Sequence, residues 1–470
     1  MGVTEYQDFL DSKHLRVANS GFSVKPKELN PHLFDWQRLI TQWSIRRGRA
    51  ALWLDTGLGK TICQLDYSRC IIQRENKPAL ILAPLAVTRQ TCDEAVKFGI
   101  DAHCPIVHAA SQADVKEPGI YVTNYEKLHL FDASKFCSVV LDESGILKAF
   151  TGATKRKLCA DFADTPYRLA CTATPAPNDR MELGNHSEFL GIMRGTEMLA
   201  RWFINTGKSV GKYTLRPYAA DDFWRWMASW AVCISRPSDI GFTNAGCDLP
   251  PLRVHEHIVA ADTISPGMLF NVGKDVSATE VHQEKRANLV ERVAKVASLV
   301  NGDKDAWAVW CDTDYESEAL CHAIPDALEV KGSHSAELKT ERLEAFRKGQ
   351  ARVIVTKADI GGWGLNWQHA HKTTWFAGFR FEAFYQAVRR LYRFGQTQPV
   401  DVHIVMTENE QSIKKILDRK AAQHTELHCE MAQRMKDCTM EELFAKRTLK
   451  RTRGSSSLQL PCWLISHEGE

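Results

Sequence analysis

Short apolar runs separated by polar, helix-like segments recur along most of the chain, and this alternation constrains the fold more than any other feature. A first series lies between about residues 30 and 190 and contains AALWL, ALILAP, GIYVTNY, SVVLDES and YRLACTATP. A second series starts after PP at 250–251 and contains HEHIVA, AWAVWC, ARVIVTKA and DVHIVMT. Apolar strands that alternate with helices are typical of parallel sheets covered on both faces. The sequence therefore predicts two α/β lobes.

The predicted division of the chain follows these two series. We expect a first lobe over residues 1–190, a connector over 191–250, a second lobe over 251–430 and a tail over 431–470. The connector is rich in Trp and Phe, as in FWRWMASWAVCI, and we interpret it as helices that pack on the first lobe rather than as a base-stacking platform. The tail, with KRTLKRTRGSSS, is basic and then Ser-rich, which predicts a mobile segment that could also touch phosphates.

The amino-acid composition says little about nucleic-acid partners, but it bears on the cellular compartment and on membrane association. The 470 residues are 44% hydrophobic and carry a net charge of +3, so a nucleic-acid surface would have to be a local patch. The 14 cysteines are scattered without a C-x-x-C pair, which predicts reduced, mostly buried thiols and a cytoplasmic location. Apolar stretches fall short of the ~20 residues that a membrane span needs, so no membrane partner is expected.

The segment LDTGLGKT follows the run AALWL and has the composition of a phosphate-binding loop. In such a loop small residues let backbone N–H groups surround phosphate oxygens, a lysine reaches the β- and γ-phosphates, and a hydroxyl contacts Mg²⁺. Gly57, Gly59, Lys60 and Thr61 supply these parts. Leu54 stands where the strict pattern has its first glycine, so a glycine-rich turn without a ligand is the alternative.

An acidic pair, Asp142 and Glu143, ends the run SVVLDES. The carboxyl ends of parallel strands are where ligands bind in open α/β sheets. Hydrolysis of a nucleoside triphosphate needs one carboxylate for hydrated Mg²⁺ and another that orients or deprotonates the attacking water. Asp142 suits the first task and Glu143 the second. The alternative is an acidic helix start that carries no chemistry.

The segment FYQAVRRLYRFGQ, residues 384–396, predicts an amphipathic helix that ends near Gly395. At about 100° per residue, Gln386, Arg390 and Arg393 share one stripe and apolar side chains share the opposite one. Two guanidinium groups on the exposed stripe could neutralise charge on a transferring phosphoryl group. A basic, solvated helix face is the alternative.

These segments, together with TATPAPN and GGWGLN, stand in the order of the motifs of superfamily-two helicases and translocases. The chain most resembles the Swi/Snf-like branch, and also compact DEAD/DEAH-box helicase-like ATPases of phages and prophages, over roughly residues 30–405. The resemblance implies an α/β fold of two tandem RecA-like P-loop lobes with parallel sheets, joined by a helical, aromatic-rich connector. It also implies ATP as substrate and Mg²⁺ as cofactor.

The resemblance assigns roles residue by residue. Residues implied to bind ATP are Gln37, Thr56, Gly57, Gly59, Lys60, Thr61, Gly362 and Gly364. Residues implied to act in catalysis are Lys60, Glu143, Arg390 and Arg393, with Thr61 and Asp142 as partners of the metal. Residues implied to couple nucleotide state to lobe movement are Thr172, Thr174 and Gln386. Residues implied to contact nucleic acid are Pro84, Thr123, Asn124, Thr356 and Asn366.

Two departures from the family pattern limit the functional prediction. Gly145 stands where many relatives have a histidine after the acidic pair, and residues 191–250 are too few for the helical insertions of chromatin remodellers. We therefore expect an ATPase that translocates on DNA, with strand separation left open. The alternatives are an RNA helicase, a motor subunit of a phage replication or restriction/defence assembly, and a nucleotide-switched DNA-binding scaffold. Replication, recombination or restriction proteins are possible partners.

Overall fold

The computed structural model describes residues 17–148, 152–176, 180–205, 213–244, 249–260, 286–361, 366–376, 381–407, 410, 418–419, 426 and 430–444. Two parallel sheets, each covered by helices, form the centres of two consecutive lobes. This confirms the predicted fold class of two tandem RecA-like α/β lobes. No helix among the described residues is long and apolar enough to cross a membrane.

The strands of the first lobe include every apolar run of the first predicted series. They are β1 (Arg49–Leu54), β2 (Ala79–Ala83), β3 (Ile106–His108), β4 (Ile120–Asn124), β5 (Ser138–Asp142) and β6 (Tyr167–Thr172), followed by the hairpin β7 (Phe203–Asn205) and β8 (Tyr213–Leu215), and by β9 (Ala231–Ile234). The sheet order over the described residues is β3-β4-β2-β5-β6-β1-β9, and all its pairs are parallel. Because β1 lies between β6 and β9, the segment after it is held between two neighbouring strand ends.

The helices of the first lobe cover both faces of this sheet. They are α1 (Asp35–Arg47), α2 (Lys60–Glu75), α3 (Thr88–Lys97), α4 (Ala153–Asp161), α5 (Leu183–Phe189), α6 (Gly195–Trp202) and α7 (Ala220–Ala228). Alternate residues of β1 enter two different cores: Ala51 and Trp53 enter one, and Leu52 and Leu54 enter the other. A central parallel strand therefore has to be apolar at nearly every position, which is why AALWL is a continuous apolar run.

The predicted connector, residues 191–250, contains α6 and α7, and it also supplies β9, which pairs with β1 in the first sheet. Its tryptophans are buried against the first lobe, as expected. Trp202 stacks on Trp226 with ring centroids 4.6 Å apart, and Trp230 meets Trp53 of β1 edge to face at 5.5 Å. These rings fill the core under β1 and are not available to stack on bases.

The second lobe repeats the architecture with its own sheet. Its strands are β10 (Leu252–Val259), β11 (Trp307–Cys311), β12 (Ala327–Val330), β13 (Val353–Lys357), β14 (Lys372–Phe376) and β15 (Val400–Thr407). Its helices are α8 (Leu289–Asn301), α9 (Asp314–Ala323), α10 (Ala336–Arg347), α11 (Ala358–Gly361) and α12 (Phe381–Val388). The sheet order over the described residues is β10-β15-β14-β11-β13-β12.

Residues 430–444 are helical and return to the first lobe, which differs from the mobile tail expected for 431–470. Met431, Met435 and Cys438 recur at helical spacing and pack into the aromatic core of the first lobe. Glu442 forms an ion pair with Arg47 at the end of α1. The sequence predicted a mobile segment because the basic residues after this helix dominate the composition of the tail and obscure the apolar spacing of the helix. Those basic residues lie outside the described residues.

Candidate functional site

A cavity of about 380 Å³ lies between the two lobes, at the carboxyl ends of the central strands of the first sheet. The first lobe contributes the phosphate-loop segment and the acidic pair to its walls. The second lobe contributes the arginine-rich segment after α12. Three stretches that lie more than 80 residues apart in the sequence are thus brought into one site.

The glycine-rich loop has the backbone shape that only glycine adopts without strain. Gly57 and Gly59 have φ angles of 88° and 71°. A Cβ atom on Gly57 would lie 2.5 Å from the backbone nitrogen of Phe394, and one on Gly59 would lie 2.3 Å from Nε2 of Gln37. The two glycines therefore allow both the turn and the close approach of the second lobe, even though Leu54 breaks the strict motif.

Lys60 and Gln37 hold the loop from its two sides. Lys60 begins α2, and its Nζ donates to the carbonyl oxygen of Leu54 at 3.0 Å. Nε2 of Gln37 donates to the carbonyl oxygen of Leu58 at 3.0 Å, and its Oε1 accepts from the N–H of Phe34 at 3.0 Å. Both ends of the Gln37 amide are therefore engaged with backbone. Its recognition of adenine stays a prediction.

The acidic pair follows β5 as predicted. Asp142 is buried, and its Oδ1 accepts from Nε2 of Gln64 at 2.8 Å. Burial, with a contribution from the charge of Glu143, raises the pKa of Asp142 to about 6. Glu143 has a φ of 52°, a left-handed backbone conformation that is strained for a side chain of this kind. Strain of this type is held at functional sites by the surrounding structure, here by β5 and its neighbours.

The threonines of TATP connect the acidic pair to β6. Oγ1 of Thr172 donates to Oε2 of Glu143 at 3.3 Å, and the N–H of Thr174 donates to Oγ1 of Thr172 at 3.1 Å. Both side chains are buried. The two threonines are therefore placed where a change at Glu143 can reach the loop after β6, and their role in coupling stays a prediction.

The structure corrects the predicted helix over 384–396. Helix α12 ends at Val388, and tighter turns follow, in which the N–H of Arg390 donates to the carbonyl of Ala387 at 3.2 Å. Arg390 is 1% exposed, so it is not on a solvated face. Nη2 of Arg390 donates to Oε1 of Gln386 at 3.0 Å, which preserves the predicted grouping. The helical spacing fails because the carbonyl oxygen of Arg390 accepts from the N–H of Trp367 at 3.0 Å, outside the helix, before the chain turns at Gly395 with φ of 89°.

Cationic side chains from both lobes converge on the cavity. Burial and the neighbouring charge of Arg393 lower the pKa of Arg390 to about 9, and burial lowers that of Arg393. Arg390 therefore stays cationic at neutral pH, and the charges of Asp142 and Glu143 act to raise the pKa of both guanidinium groups. With Lys60 and Lys97, four lysine and arginine side chains line this space, together with three carboxylates, Glu94, Asp142 and Glu143. A polyanion is the ligand that such a site fits.

The residues present fit a nucleoside triphosphate with Mg²⁺. The left-handed glycines form the cradle, Lys60 heads a helix whose N-terminus favours anions, and the arginines face the loop across the cavity. Thr61 and Asp142 carry the oxygen donors that Mg²⁺ prefers, and both line the cavity, as does Thr56. Gly362 and Gly364 lie outside the described residues.

The predicted nucleic-acid residues are separated by the structure. Pro84 lines a second inter-lobe cavity. Thr123 and Thr356 are fully buried, and Oγ1 of Thr356 donates to the carbonyl oxygen of Val330 at 3.1 Å. Neither hydroxyl faces a surface in this conformation, because both strands are covered on each side. A contact with nucleic acid by these two side chains would require them to be uncovered.

The other two predicted contacts have local partners. The side chain of Asn124 accepts from the N–H of Lys127 at 3.2 Å and caps the turn that follows β4. The N–H of Asn366 donates to Oε1 of Gln90 in α3 at 3.1 Å, and its side chain lines the cavity that holds the cations. Asn366 is therefore placed at the lobe interface beside the candidate nucleotide site.

Two further residues near this site, His186 and Asp55, were not predicted from the sequence. His186 of α5 is buried, with Nδ1 3.4 Å from Oγ of Ser144 and Nε2 3.2 Å from the carbonyl oxygen of Pro175. Because that carbonyl only accepts, Nε2 carries the proton and Nδ1 accepts from the serine. Burial lowers the pKa of His186 to about 4, which keeps the ring neutral. Asp55, which precedes the loop, contacts the second lobe through Arg389, as described below.

Parts of the chain are similar to known proteins. Residues 33–177 match the family described as type III restriction enzyme, res subunit. Over 198 residues the chain is 28% identical to protein p41 of Acyrthosiphon pisum secondary endosymbiont phage 1, a match that covers 38% of this chain and 40% of that protein. Over 115 residues it is 30% identical to Protein CHROMATIN REMODELING 8 of Arabidopsis thaliana, covering 23% of this chain and 10% of that one. The chain thus spans less than half the length of these relatives.

Among solved structures, the chain is similar to the Sulfolobus solfataricus SWI2/SNF2 ATPase core in complex with dsDNA. The TM-score is 0.41 at 17% sequence identity, over 90% of this chain and 98% of that one.

A lobe that carries a phosphate-loop segment and an acidic pair faces a second α/β lobe that carries arginines, and this is the arrangement of a two-lobed P-loop NTPase. The family match lies on the lobe with the phosphate loop and the acidic pair. Together with the order of the motifs, these matches make the chain similar to helicase-type proteins of superfamily two, of the Swi/Snf-like kind.

Proposed function

We propose that the chain hydrolyses ATP and uses the energy to move along DNA. The observation that carries the proposal is the division of one site between two lobes: the loop and both carboxylates come from the first, and both arginines come from the second. A site of this kind is complete only when the cleft is closed. Each cycle of binding and hydrolysis then changes the relative position of the lobes.

Each charged side chain of the site has a proposed role in hydrolysis. The carboxylate of Glu143 accepts a proton from a water whose oxygen bonds to the γ-phosphorus, while the bond to the ADP oxygen breaks. The products are ADP, phosphate and a proton. Lys60, Arg390 and Arg393 neutralise the charge that develops on the phosphoryl oxygens. When bound, Mg²⁺ supplies further charge neutralisation, and Thr61 and Asp142 are the residues that would hold it.

The track would lie in a second cavity of about 430 Å³ between the lobes. Pro84, Tyr125 and Lys148 line it from the first lobe, and Lys339 lines it from the second. Lysines on both lobes can bind successive phosphates of a nucleic-acid backbone. Glu143 lines this cavity as well as the first one, so a strand bound here would lie next to the proposed catalytic base. This proximity favours a nucleic-acid-stimulated ATPase over a scaffold with negligible turnover.

Steady-state ATP turnover tests the proposal when it is measured without nucleic acid and with duplex DNA, single-stranded DNA and RNA. We expect the strongest stimulation by duplex DNA. Displacement of a third strand from a triplex then reports movement, and release of one strand of a duplex reports separation. Stimulation by RNA alone would favour the RNA-helicase alternative, and turnover that no nucleic acid changes would contradict the proposed track.

A second candidate is the motor subunit of a restriction or defence assembly. The observation that favours it is the match of residues 33–177 to the res subunit family. This candidate predicts that the chain alone does not cut DNA and that a nuclease or methyltransferase subunit binds it. Co-expression with such a subunit from the same genome, followed by size-exclusion chromatography, tests it. Cleavage of duplex DNA by the isolated chain would contradict it.

A further inference from the structure

The carboxylate of Asp55, the residue before the phosphate loop, is bonded to the second lobe. The O–H of Tyr385 donates to Oδ1 at 2.9 Å, and Nη2 of Arg389 donates to Oδ2 at 3.1 Å. The N–H of Thr56 also donates to Oδ1, at 2.6 Å. One carboxylate therefore joins the first residue of the loop to the end of α12.

Arg389 occupies a different environment from the arginines that follow it. Arg390 and Arg393 line the inter-lobe cavity, whereas Arg389 packs between tyrosine rings, 5.1 Å from that of Tyr385 and 5.6 Å from that of Tyr392. Burial acts to lower the pKa of Arg389, but Tyr385 and Asp55 raise it above its ordinary value. Of the three arginines in RRLYR, Arg389 therefore contacts Asp55, whereas the other two line the cavity.

A negative charge beside a phosphate loop opposes the binding of a polyanion unless it is neutralised. The carbonyl oxygen of Asp55 lies 3.5 Å from Nζ of Lys60, so this residue is directly beside the lysine expected to meet the phosphates. The Asp55 and Arg389 side chains are each 19% exposed, so solvent screens their charges less than it would at the surface. Arg389 donates directly to this carboxylate, so its replacement by a neutral residue would take positive charge away from Asp55 beside the loop.

We propose that Arg389 is a positioning residue that neutralises Asp55 and ties the phosphate loop to the segment carrying Arg390 and Arg393. Through this contact Arg389 sets the affinity for ATP, while the two following arginines act on the transferring phosphoryl group. The inference rests on the proposed ATPase function. It adds that one arginine of RRLYR, Arg389, acts on the phosphate loop of the protein and not on the phosphate groups of ATP.

A set of four variants separates this role from catalysis. Arg389→Gln should raise the KM for ATP about fivefold to tenfold, because the negative charge of Asp55 loses the guanidinium group that faces it beside the loop. It should lower kcat less than about threefold, because no catalytic group is lost. Arg390→Gln should lower kcat by a factor on the order of 10³. Adding Asp55→Asn to Arg389→Gln should bring KM back to within about twofold of the wild type. Adding it to Arg390→Gln should restore nothing.

The control is another inter-lobe ion pair of the same chemistry. Nη2 of Arg347 in α10 lies 2.9 Å from Oδ2 of Asp93 in α3, away from the loop. Arg347→Gln should leave KM within about twofold of the wild type, since no charge at the loop changes. Arg389→Lys keeps the charge and should behave like the wild type in KM, which excludes a general loss of folding as the cause.

The outcomes distinguish this inference from the proposed function. If Arg389→Gln loses kcat as Arg390→Gln does, with KM unchanged and no rescue by Asp55→Asn, Arg389 is a catalytic arginine and the inference is overturned. An unchanged KM in Arg389→Gln overturns it as well. Equilibrium binding of a fluorescent ATP analogue to the same variants supplies a readout without turnover. If the wild type hydrolyses no ATP, the proposed function fails, while the binding series still decides the role of Arg389.

Discussion

Replacing Asp142 with asparagine should stabilise the metal-free protein while it abolishes turnover. The carboxyl group is buried, and its pKa is raised from 3.8 to about 6. The native state therefore binds a proton more tightly than the unfolded state does, so ionisation of Asp142 costs stability. That cost is absent below pH 3.8, grows as the pH rises towards 6 and is constant above it. Asparagine avoids the cost because it has no charge to bury, and its oxygen can still accept from Gln64.

The magnitude follows from the pKa. At about 1.4 kcal/mol for each tenfold change in proton affinity, the rise corresponds to about 3 kcal/mol at pH 7.5 and to roughly half as much at pH 5.0. We expect Asp142→Asn to raise the free energy of unfolding by amounts of this order, with the larger gain at pH 7.5. Urea unfolding in the presence of EDTA, followed by tryptophan fluorescence at both pH values, measures the difference.

Asp114 of the same lobe provides a control of opposite sign. Its carboxylate accepts from the N–H groups of Ala110 and Ser111, which lower its pKa. Its ionised form is thus favoured by folding, and Asp114→Asn should destabilise the protein at pH 7.5. The reasoning is refuted if Asp142→Asn is less stable than the wild type, or if its gain in stability is the same at both pH values.

Four further substitutions test the parts of the site. Lys60→Ala should abolish detectable binding of ATP, which calorimetric titration checks, and binding with wild-type affinity would contradict the proposed phosphate loop. Arg390→Ala and Arg393→Ala should each cost turnover far more than ATP affinity, by up to about 10³-fold in kcat, and an arginine whose loss leaves kcat unchanged is not a catalytic finger. Gly57→Ala should keep the chain folded in circular dichroism but lower turnover more than about tenfold, because its φ of 88° is strained for alanine and the added Cβ would stand 2.5 Å from the nitrogen of Phe394. Wild-type turnover would show that this close approach is not needed for closure.

Much of the fold was predictable because its signal is local. A strand buried on both faces must be apolar throughout, so AALWL and SVVLDES indicated β1 and β5 directly. Asp142 likewise falls at the end of its strand, as the motif required. The helical period failed after Val388, where the backbone of Arg390 pairs with Ala387 and with Trp367 instead of continuing the helix.

The rest depended on pairings that no local pattern contains. Asp55 and Arg389 are 334 residues apart in the sequence and meet only because the lobes close on each other. His186 carries no motif of its own, and its contacts with Ser144 and Pro175 arise from the packing of α5 under β1. The helix over 430–444 was hidden by the basic composition of the residues after it. Charge and composition describe what a segment can do alone, whereas these contacts belong to the tertiary structure.

The central claim is that Glu143 completes a hydrolytic site whose other groups bind ATP. Its most direct test measures, on the wild type and on Glu143→Gln, both the binding of a fluorescent ATP analogue and the release of phosphate in the presence of duplex DNA. We predict that the variant binds the nucleotide within about threefold of the wild type and releases phosphate more than about 100-fold more slowly, since only the proton acceptor is lost. Phosphate release at the wild-type rate would contradict the account.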